Sequence, residues 1–195
     1  MDYYRINAEK YFEATKNADM KDACNRFLKY LKKGSSILDI GCGSGRDAAY
    51  FKDMGYMAEG LEPSEKLAAL AEKHSGVKIH CFPVQDFVPE KRYDGLFACA
   101  SLLHLKEKEI LAFFKRAGEF VSPCAYIYAS GKSGITTGVA SDGRYFTEFT
   151  EELLQKILKE NEHLELAELW YSDDVTGRTD FNWMNFILRY KETLI

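Results

Sequence analysis

One short stretch constrains the fold of this chain more than any other: ILDIGCGSGRDAAYF, residues 37–51. It begins as an apolar run typical of a buried strand, passes through Gly41, Gly43 and Gly45, and ends as the start of a helix. Glycine lacks a Cβ, so its backbone adopts angles that other residues avoid and lets a ligand come close. In open α/β sheets, ligands bind beside such a strand–helix turn, beyond the carboxyl ends of the strands. The stretch therefore predicts an α/β sheet with a ligand site at this turn.

Strand-like and helix-like segments alternate through the rest of the chain, which predicts a doubly wound, mostly parallel sheet covered on both faces. The last two strand-like runs, residues 164–172 and 181–190, are joined by a polar, turn-like segment without a helix. We therefore expect them to form an antiparallel hairpin added to the parallel sheet. Two helical stretches, Tyr3–Thr15 and Lys21–Leu31, precede the first strand and can cover the ligand end of the sheet.

The length and charge of the chain limit its organisation and its partners. Its 195 residues suit one domain with one sizeable core. We predict a single domain over residues 1–195, with a helical cap over 1–33 and an α/β core over 34–195. The formal net charge of -4 gives no bulk attraction toward nucleic acid or anionic lipid. Nucleic acid is therefore a disfavoured partner, and no run is apolar enough to predict a membrane span.

The cysteines give no sign of disulfides or of a metal site. The five cysteines are scattered and form no C-x-x-C pair, which is typical of reduced thiols in a cytoplasmic protein. A zinc site would need clustered Cys and His ligands, and the sequence shows no such cluster. We expect a cytoplasmic protein without a metal, acting as a monomer or a weak homodimer.

Two cofactor classes use a strand–glycine–helix turn, and the acidic residues around it separate them. Residues 43–48 fit the G-x-G-x-x-A pattern of dinucleotide-binding proteins. Asp39, however, ends the strand and would repel a pyrophosphate, while it would attract a cationic ligand. Asp47 adds negative charge where a pyrophosphate would need room, and the terminal hairpin is not a second mononucleotide-binding half. The turn therefore favours a cationic ligand over NAD.

The sequence ILDIGCGSGRD resembles motif I of class I S-adenosylmethionine-dependent methyltransferases. MAEGLEPSEKLAALA, PVQDF and YDGLFACASLLHL follow in order and at suitable spacing, so the resemblance covers nearly the whole chain. Small bacterial methyltransferases of the type 11/12 or tellurite-resistance-like kind are the subgroup it is most similar to. The resemblance implies a Rossmann-like sheet of seven strands in the order 3-2-1-4-5-7-6, with an antiparallel last strand. It also implies S-adenosylmethionine as cofactor, S-adenosylhomocysteine as product, and an O, N or S nucleophile on a small-molecule acceptor.

The resemblance also implies the residues that contact the cofactor. Asp39 and the turn backbone suit the methionine end, and Glu62 suits the two ribose hydroxyls, as an acid does in NAD enzymes. Asp86 matches the family's contact to the exocyclic amine of adenine. Arg46 can pair with the cofactor carboxylate, or instead with Asp47 or Glu62. The full predicted set is Asp39, Gly41, Cys42, Gly43, Gly45, Arg46, Glu62, Pro63, Gln85, Asp86, Phe87, Ala100, Ser101 and Tyr11.

Methyl transfer is an in-line displacement that mainly requires alignment of the reactants, sometimes with removal of a proton. His104 follows the fourth strand and is the candidate general base. The alternative is a loop histidine that satisfies backbone groups. Tyr4 and Tyr11 lie seven residues apart on one helical face, so Tyr11 either closes over the cofactor as a lid or packs in the core. The predicted acceptor contacts are Arg144, Tyr145, Arg178 and Trp183, which could equally form a salt-bridged loop around a buried Trp.

Two other classes of function stay open from the sequence. One is an NAD-dependent oxidoreductase, which would gain from a Tyr-x-x-x-Lys pair that the sequence does not contain. The other is a catalytically silent module that binds S-adenosylmethionine without an open acceptor pocket. If the chain is a methyltransferase, an RNA base or a protein is a further possible acceptor.

Overall fold

The computed structural model describes residues 2–191. Seven strands form one sheet in the order β3-β2-β1-β4-β5-β7-β6, which confirms the predicted order. The strands are β1 (Ser36–Ile40), β2 (Met57–Leu61), β3 (Ile79–His80), β4 (Tyr93–Ala98), β5 (Val121–Ser133), β6 (Leu164–Ser172) and β7 (Asn182–Tyr190). Neighbours from β3 to β5 pair in parallel, whereas β7 runs antiparallel to both β5 and β6, as the hairpin prediction requires. A separate two-stranded ladder joins Gly138–Val139 to Tyr145–Phe146.

Helices cover both faces of the sheet and precede its first strand. They are α1 (Asp2–Ile6), α2 (Ala8–Thr15), α3 (Lys21–Leu28), α4 (Arg46–Asp53), α5 (Glu65–Ser75), α6 (Glu107–Lys115), α7 (Ala117–Phe120) and α8 (Glu151–Glu160). The predicted helix over residues 3–15 is interrupted at Asn7, whose side-chain amide donates to the carbonyl of Tyr3. None of the helices within residues 2–191 combines the length and apolar composition that a membrane crossing requires.

The burial of β1 shows why the first strand is so apolar. All five of its residues are buried, as expected for the centre of a sheet with both faces covered. Because side chains alternate along a strand, Ile37 packs with Phe97 in one hydrophobic cluster. Leu38 and Ile40 pack with Leu96 in the other. The strand thus fixes the position of the glycine turn that follows it.

The glycine turn is held tightly against α5. Gly45 precedes α4 in the left-handed conformation, with φ 74°, and a Cβ there would lie 2.8 Å from the carbonyl oxygen of Ala71. Gly55 also has a left-handed φ, of 82°, but its Cβ would meet no heavy atom within 4 Å. The two glycines therefore separate the effect of backbone conformation from the effect of close contact.

We expect Gly45→Ala to lower the free energy of unfolding by about 2–4 kcal/mol, because left-handed strain and a backbone clash add. Gly55→Ala, with the strain alone, should lower it by about 1–2 kcal/mol. Urea denaturation of both variants measures the difference. Equal losses would show that the turn and α5 are not in close contact.

Candidate functional site

Two adjoining cavities lie at the carboxyl ends of the central strands. The smaller cavity has a volume of about 220 Å³ and the larger about 440 Å³. Helices α1 and α2 contribute Tyr4 and Tyr11 to the walls of both. The other walls that the two cavities share are Gly41, Gly43, Ala100, His104 and Arg144. The cavities therefore meet at the glycine turn, where the sequence predicts a ligand.

Most predicted site residues line one or both cavities. Tyr11, Gly41, Gly43, Ala100, His104 and Arg144 line both. Glu62, Pro63, Gln85, Ser101 and Tyr145 line the smaller cavity, whereas Asp39, Cys42, Arg46, Arg178 and Trp183 line the larger. Gly45, Asp86 and Phe87 line neither.

Glu62 follows β2 and is a buried carboxyl in the wall of the smaller cavity. Its Oε1 accepts from the Ser64 amide at 2.9 Å and its Oε2 from the Gly43 amide at 3.2 Å. Burial raises the pKa of Glu62 to about 7, although these two backbone hydrogen bonds lower it. Each oxygen keeps a second lone pair, so an ionised Glu62 can still accept from two ligand hydroxyls.

Asp39 is a buried carboxyl beneath the larger cavity, and its Oδ2 has no hydrogen-bond partner within the described part of the chain. Burial raises its pKa well above the usual range, and the nearby Asp47 carboxylate raises it further. Asp47 itself is neutralised by Arg46, whose Nε and Nη2 lie 2.8 and 2.7 Å from its two oxygens. Arg46 thus pairs with Asp47, one of the predicted alternatives, and no cation within residues 2–191 is in direct contact with Asp39.

The floor where the cavities meet is built from close backbone contacts. A Cβ on Gly41 would lie 2.5 Å from the Cβ of Ser101, and one on Gly43 would lie 3.2 Å from the Tyr11 ring. Ala100 has a positive φ of 51°, a strained conformation of the kind that clusters at functional sites. The hydroxyl of Ser101 is buried and has no partner among residues 2–191.

The turn after β3 places Gln85, and not Asp86, toward the smaller cavity. The amides of Asp86 and Phe87 both donate to the carbonyl of Pro83, and this tight turn leaves Asp86 exposed. Phe87 is buried in the core against Phe120, so it supplies no cavity wall. Gln85 lines the cavity with a buried Oε1 that has no partner in the described chain. The structure therefore does not support Asp86 and Phe87 as cofactor contacts, because the turn directs them elsewhere.

His104 lies between the two cavities and has both ring nitrogens engaged. Its Nδ1 lies 3.0 Å from the carbonyl oxygen of Tyr145, which can only accept, so Nδ1 carries the proton. Its Nε2 therefore accepts from the hydroxyl of Tyr4, at 2.7 Å. Burial lowers the pKa of His104 to about 4, and the nearby Arg144 and Lys132 lower it further. His104 is thus neutral near pH 7, with Tyr4 bound to its basic nitrogen.

All four predicted acceptor residues line the cavities, and the two arginines among them also form salt bridges. Arg144 pairs with Asp142, with Nη2 and Oδ2 2.6 Å apart. Arg178 pairs with the buried Asp174 at 2.7 Å, and the indole nitrogen of Trp183 donates to the same carboxylate at 3.0 Å. The salt bridges fit the interpretation as a salt-bridged loop, and the cavity lining fits the interpretation as acceptor contacts. The two interpretations are therefore compatible.

Sequence reasoning raised Tyr4 only as part of a possible lid and did not raise Lys132, and the structure brings both into the cavity walls. The spacing of Tyr4 from Tyr11 was the available signal for the first. Lys132 lies at the end of β5 in no recognisable motif. Within residues 2–191, no group of three or more His, Cys, Asp or Glu residues is placed to hold a metal ion.

Curated relatives match about half of the chain. The ubiquinone biosynthesis O-methyltransferase of Rhodopseudomonas palustris (strain BisB5) is 28% identical over 111 residues, which cover 52% of this chain and 43% of that protein. The homologue of Bradyrhizobium sp. (strain ORS 278), with the same name, is 26% identical over 119 residues, covering 56% of this chain and 44% of that protein. The chain thus spans less than half the length of these relatives.

The fold is shared with solved methyltransferases. The 1,6-didemethyltoxoflavin-N1-methyltransferase of Burkholderia thailandensis, crystallised with 1,6-didemethyltoxoflavin and S-adenosylhomocysteine, superposes with a TM-score of 0.75. It is 20% identical, and the match covers 98% of this chain and 88% of that one. At this identity the likeness shows the fold alone.

The sequence itself carries the assignment to a family. A family model for a methyltransferase domain matches residues 11–134, which is more than half of the 195-residue chain. The matched segment contains the glycine turn, Glu62, Gln85 and His104. The chain therefore belongs to the methyltransferase domain family.

Proposed function

We propose that this protein transfers the methyl group of S-adenosylmethionine to a small-molecule acceptor held in the larger cavity. One observation carries the proposal: two cavities meet at the glycine turn, with the Glu62 carboxyl in one and the uncompensated Asp39 carboxyl beneath the other. Adenosine has hydroxyls for Glu62, whereas the methionine end is cationic and suits Asp39. This charge arrangement favours S-adenosylmethionine over NAD, which carries a pyrophosphate.

The unpartnered polar atoms fit the cofactor. Buried polar atoms normally have hydrogen-bond partners, so the free Asp39 Oδ2, Gln85 Oε1 and Ser101 Oγ indicate groups that a ligand supplies. We assign Asp39 to the α-ammonium group, Glu62 to the ribose hydroxyls, and Gln85, in place of Asp86, to the exocyclic amine of adenine. When bound, S-adenosylmethionine supplies a methyl group activated by its sulfonium.

The contact between Tyr4 and His104 gives the acceptor a route for its proton. Tyr4 lines both cavities, and its hydroxyl donates to Nε2 of His104. A proton leaving the acceptor can move to the oxygen of Tyr4 while the proton of Tyr4 moves to His104. Arg144 lies beside Tyr4 and lowers the pKa of its hydroxyl, although burial raises that pKa overall. His104 is then the base, and Tyr4 conducts the proton to it.

A small molecule fits the larger cavity better than an RNA base or a protein. The cavity holds about 440 Å³ and is walled in part by Trp170, Trp183 and Phe146. Its size lies within the range of small-ligand pockets, and the chain has a net charge of -4, which opposes nucleic-acid binding.

We also propose that residues 1–195 form one domain in which residues 1–33 act as the cap. Tyr4 and Tyr11 in the cavity walls support that role for the cap.

We expect affinity for S-adenosylhomocysteine to depend on pH through Glu62. A carboxyl with a pKa of about 7 is mostly protonated at pH 6 and mostly ionised at pH 8. Only the ionised form accepts from both ribose hydroxyls, so binding should be about tenfold weaker at about pH 6 than at about pH 8. Isothermal titration calorimetry over this range measures the effect.

Glu62→Gln should lower affinity at the higher pH and flatten its dependence on pH. Glu65→Gln, an exposed neighbour three residues along the chain, should leave both the affinity and its pH profile unchanged. A wild-type affinity that is constant across the range, or a Glu62→Gln variant that behaves as wild type, would contradict the assignment of Glu62.

A further inference from the structure

Three cations share two aromatic rings at the larger cavity. The Nζ of Lys132 lies 4.6 Å from the ring centroid of Phe146 and 4.2 Å from that of Phe181. The Cζ of Arg144 lies 5.1 Å from the Phe146 centroid, and the Cζ of Arg178 lies 5.2 Å from the Phe181 centroid. Lys132 therefore shares one ring with each arginine.

Of these three cations, only Lys132 has no carboxylate in direct contact among residues 2–191. Arg144 pairs with Asp142 and Arg178 pairs with Asp174, whereas no ion pair or hydrogen bond joins the Lys132 ammonium to another residue between 2 and 191. Burial lowers the pKa of Lys132, and the charges of Arg178 and Arg144 lower it further. The carboxylates of Asp180 and Asp174 act in the opposite direction, without direct contact.

The sheet holds Lys132 in the cavity wall. Lys132 is opposite Trp183 in the register between β5 and β7, and both residues line the larger cavity. The carbonyl of Lys132 also accepts from the amide of Phe149 at 2.8 Å. The two aromatic rings stabilise this half-buried ammonium, but its charge stays uncompensated beside two further cations, so an anion bound to it would add a favourable interaction.

We propose that Lys132 binds a carboxylate of the methyl acceptor, and that this acceptor is a planar ring molecule. This inference rests on the proposed function and deepens it. One uncompensated positive charge matches a monoanion, because the two arginines already have their own acids. Trp183, Trp170 and Phe146 also line this cavity, and their rings supply apolar surface against which a planar ring can pack. Lys132 is thus a residue that determines specificity, and the proton transfer does not require it.

The test uses two pairs of ring compounds that differ only in charge: 2-naphthoate with 2-naphthamide, and 4-hydroxybenzoate with 4-hydroxybenzamide. Each is titrated into protein saturated with S-adenosylhomocysteine, and affinity is measured by calorimetry or ligand-observed NMR. We expect the carboxylate of each pair to bind about tenfold more tightly than its amide, as a charge-assisted hydrogen bond provides.

Lys132→Met should abolish that preference, because methionine keeps the apolar stem and removes the charge. Lys159→Met, an exposed lysine on α8 outside both cavity walls, should retain it. Equal binding of acid and amide, failure of both acids to bind, or a preference that survives in Lys132→Met would overturn the inference. Binding of S-adenosylhomocysteine is measured first. Failure of that binding would contradict the proposed function, whereas an absence of acid preference in the wild-type protein with the product bound would contradict the role of Lys132 alone.

Discussion

Asp39→Asn is expected to weaken the binding of S-adenosylhomocysteine by about 10- to 100-fold, the equivalent of one hydrogen bond between charged groups. The carboxyl oxygen Oδ2 is buried without a hydrogen-bond partner among residues 2–191, beneath the cavity proposed to hold the methionine end. Asparagine keeps the shape and can keep the acceptor for the Ala48 amide, but it loses the charge. Isothermal titration calorimetry measures the affinity of the variant.

The same substitution should make the ligand-free protein more stable. The fold raises the pKa of Asp39, so the folded state disfavours the ionised carboxyl. A raised pKa gives a stability contribution that is present at low pH and is lost as pH rises above the ordinary value. The gain from Asp39→Asn should therefore be small near about pH 4 and larger near about pH 7.5. Thermal unfolding at both pH values measures it.

Asp94→Asn is a matched control for this experiment. Asp94 accepts from the amide and hydroxyl of Ser36 at the start of β1, whereas Asp39 lies near the end of that strand. The control should bind S-adenosylhomocysteine as wild type does. Wild-type affinity in Asp39→Asn would show that the carboxylate does not bind the cofactor.

His104→Ala should lower kcat by about 100- to 1000-fold, the usual contribution of a positioned general base. Affinity for S-adenosylhomocysteine should change little, because the smaller cavity keeps Glu62 and Gln85. Tyr4→Phe should lower kcat by a comparable factor, since it removes the hydroxyl through which the proton reaches His104. Steady-state kinetics with an acceptor that the wild-type protein methylates, alongside product-binding calorimetry, separates the two effects.

His163→Ala serves as the control for that series, because His163 is exposed and lies outside both cavity walls. Its kcat should match the wild type. Since the pKa of His104 is about 4, protonation of this residue should not lower kcat between about pH 6 and pH 8. A His104→Ala variant with unchanged kcat, or with equal losses in kcat and product affinity, would contradict a role as base.

The alternation of strands and helices, the terminal hairpin and the glycine turn were predictable because they rest on local patterns, whereas the order of the strands was implied by the resemblance to class I methyltransferases. The apolar run before Gly41 is a fully buried strand, and the polar segment before the last run forms the turn of an antiparallel pair. The position of Glu62 after β2 also follows from the alternation of strands and helices. Each of these features depends on residues close together in the sequence.

The remaining parts of the site depend on contacts that no local pattern encodes. Whether Gln85 or Asp86 faces the cavity is decided by a turn in which two amides share the carbonyl of Pro83. The environment of Lys132 is formed by Phe146 and Phe181, which are distant from it in the sequence and contact it only in the folded chain. The sequence left Arg46 with several possible partners, and the structure shows that it pairs with Asp47.

Calorimetry with S-adenosylhomocysteine and with NADH tests the central claim most directly. It is done at about pH 7.5, where Glu62, with a pKa of about 7, is mostly ionised. The account predicts saturable binding of S-adenosylhomocysteine, one molecule per chain, and no binding of NADH at matched concentrations. Binding of NADH together with no binding of S-adenosylhomocysteine would contradict it.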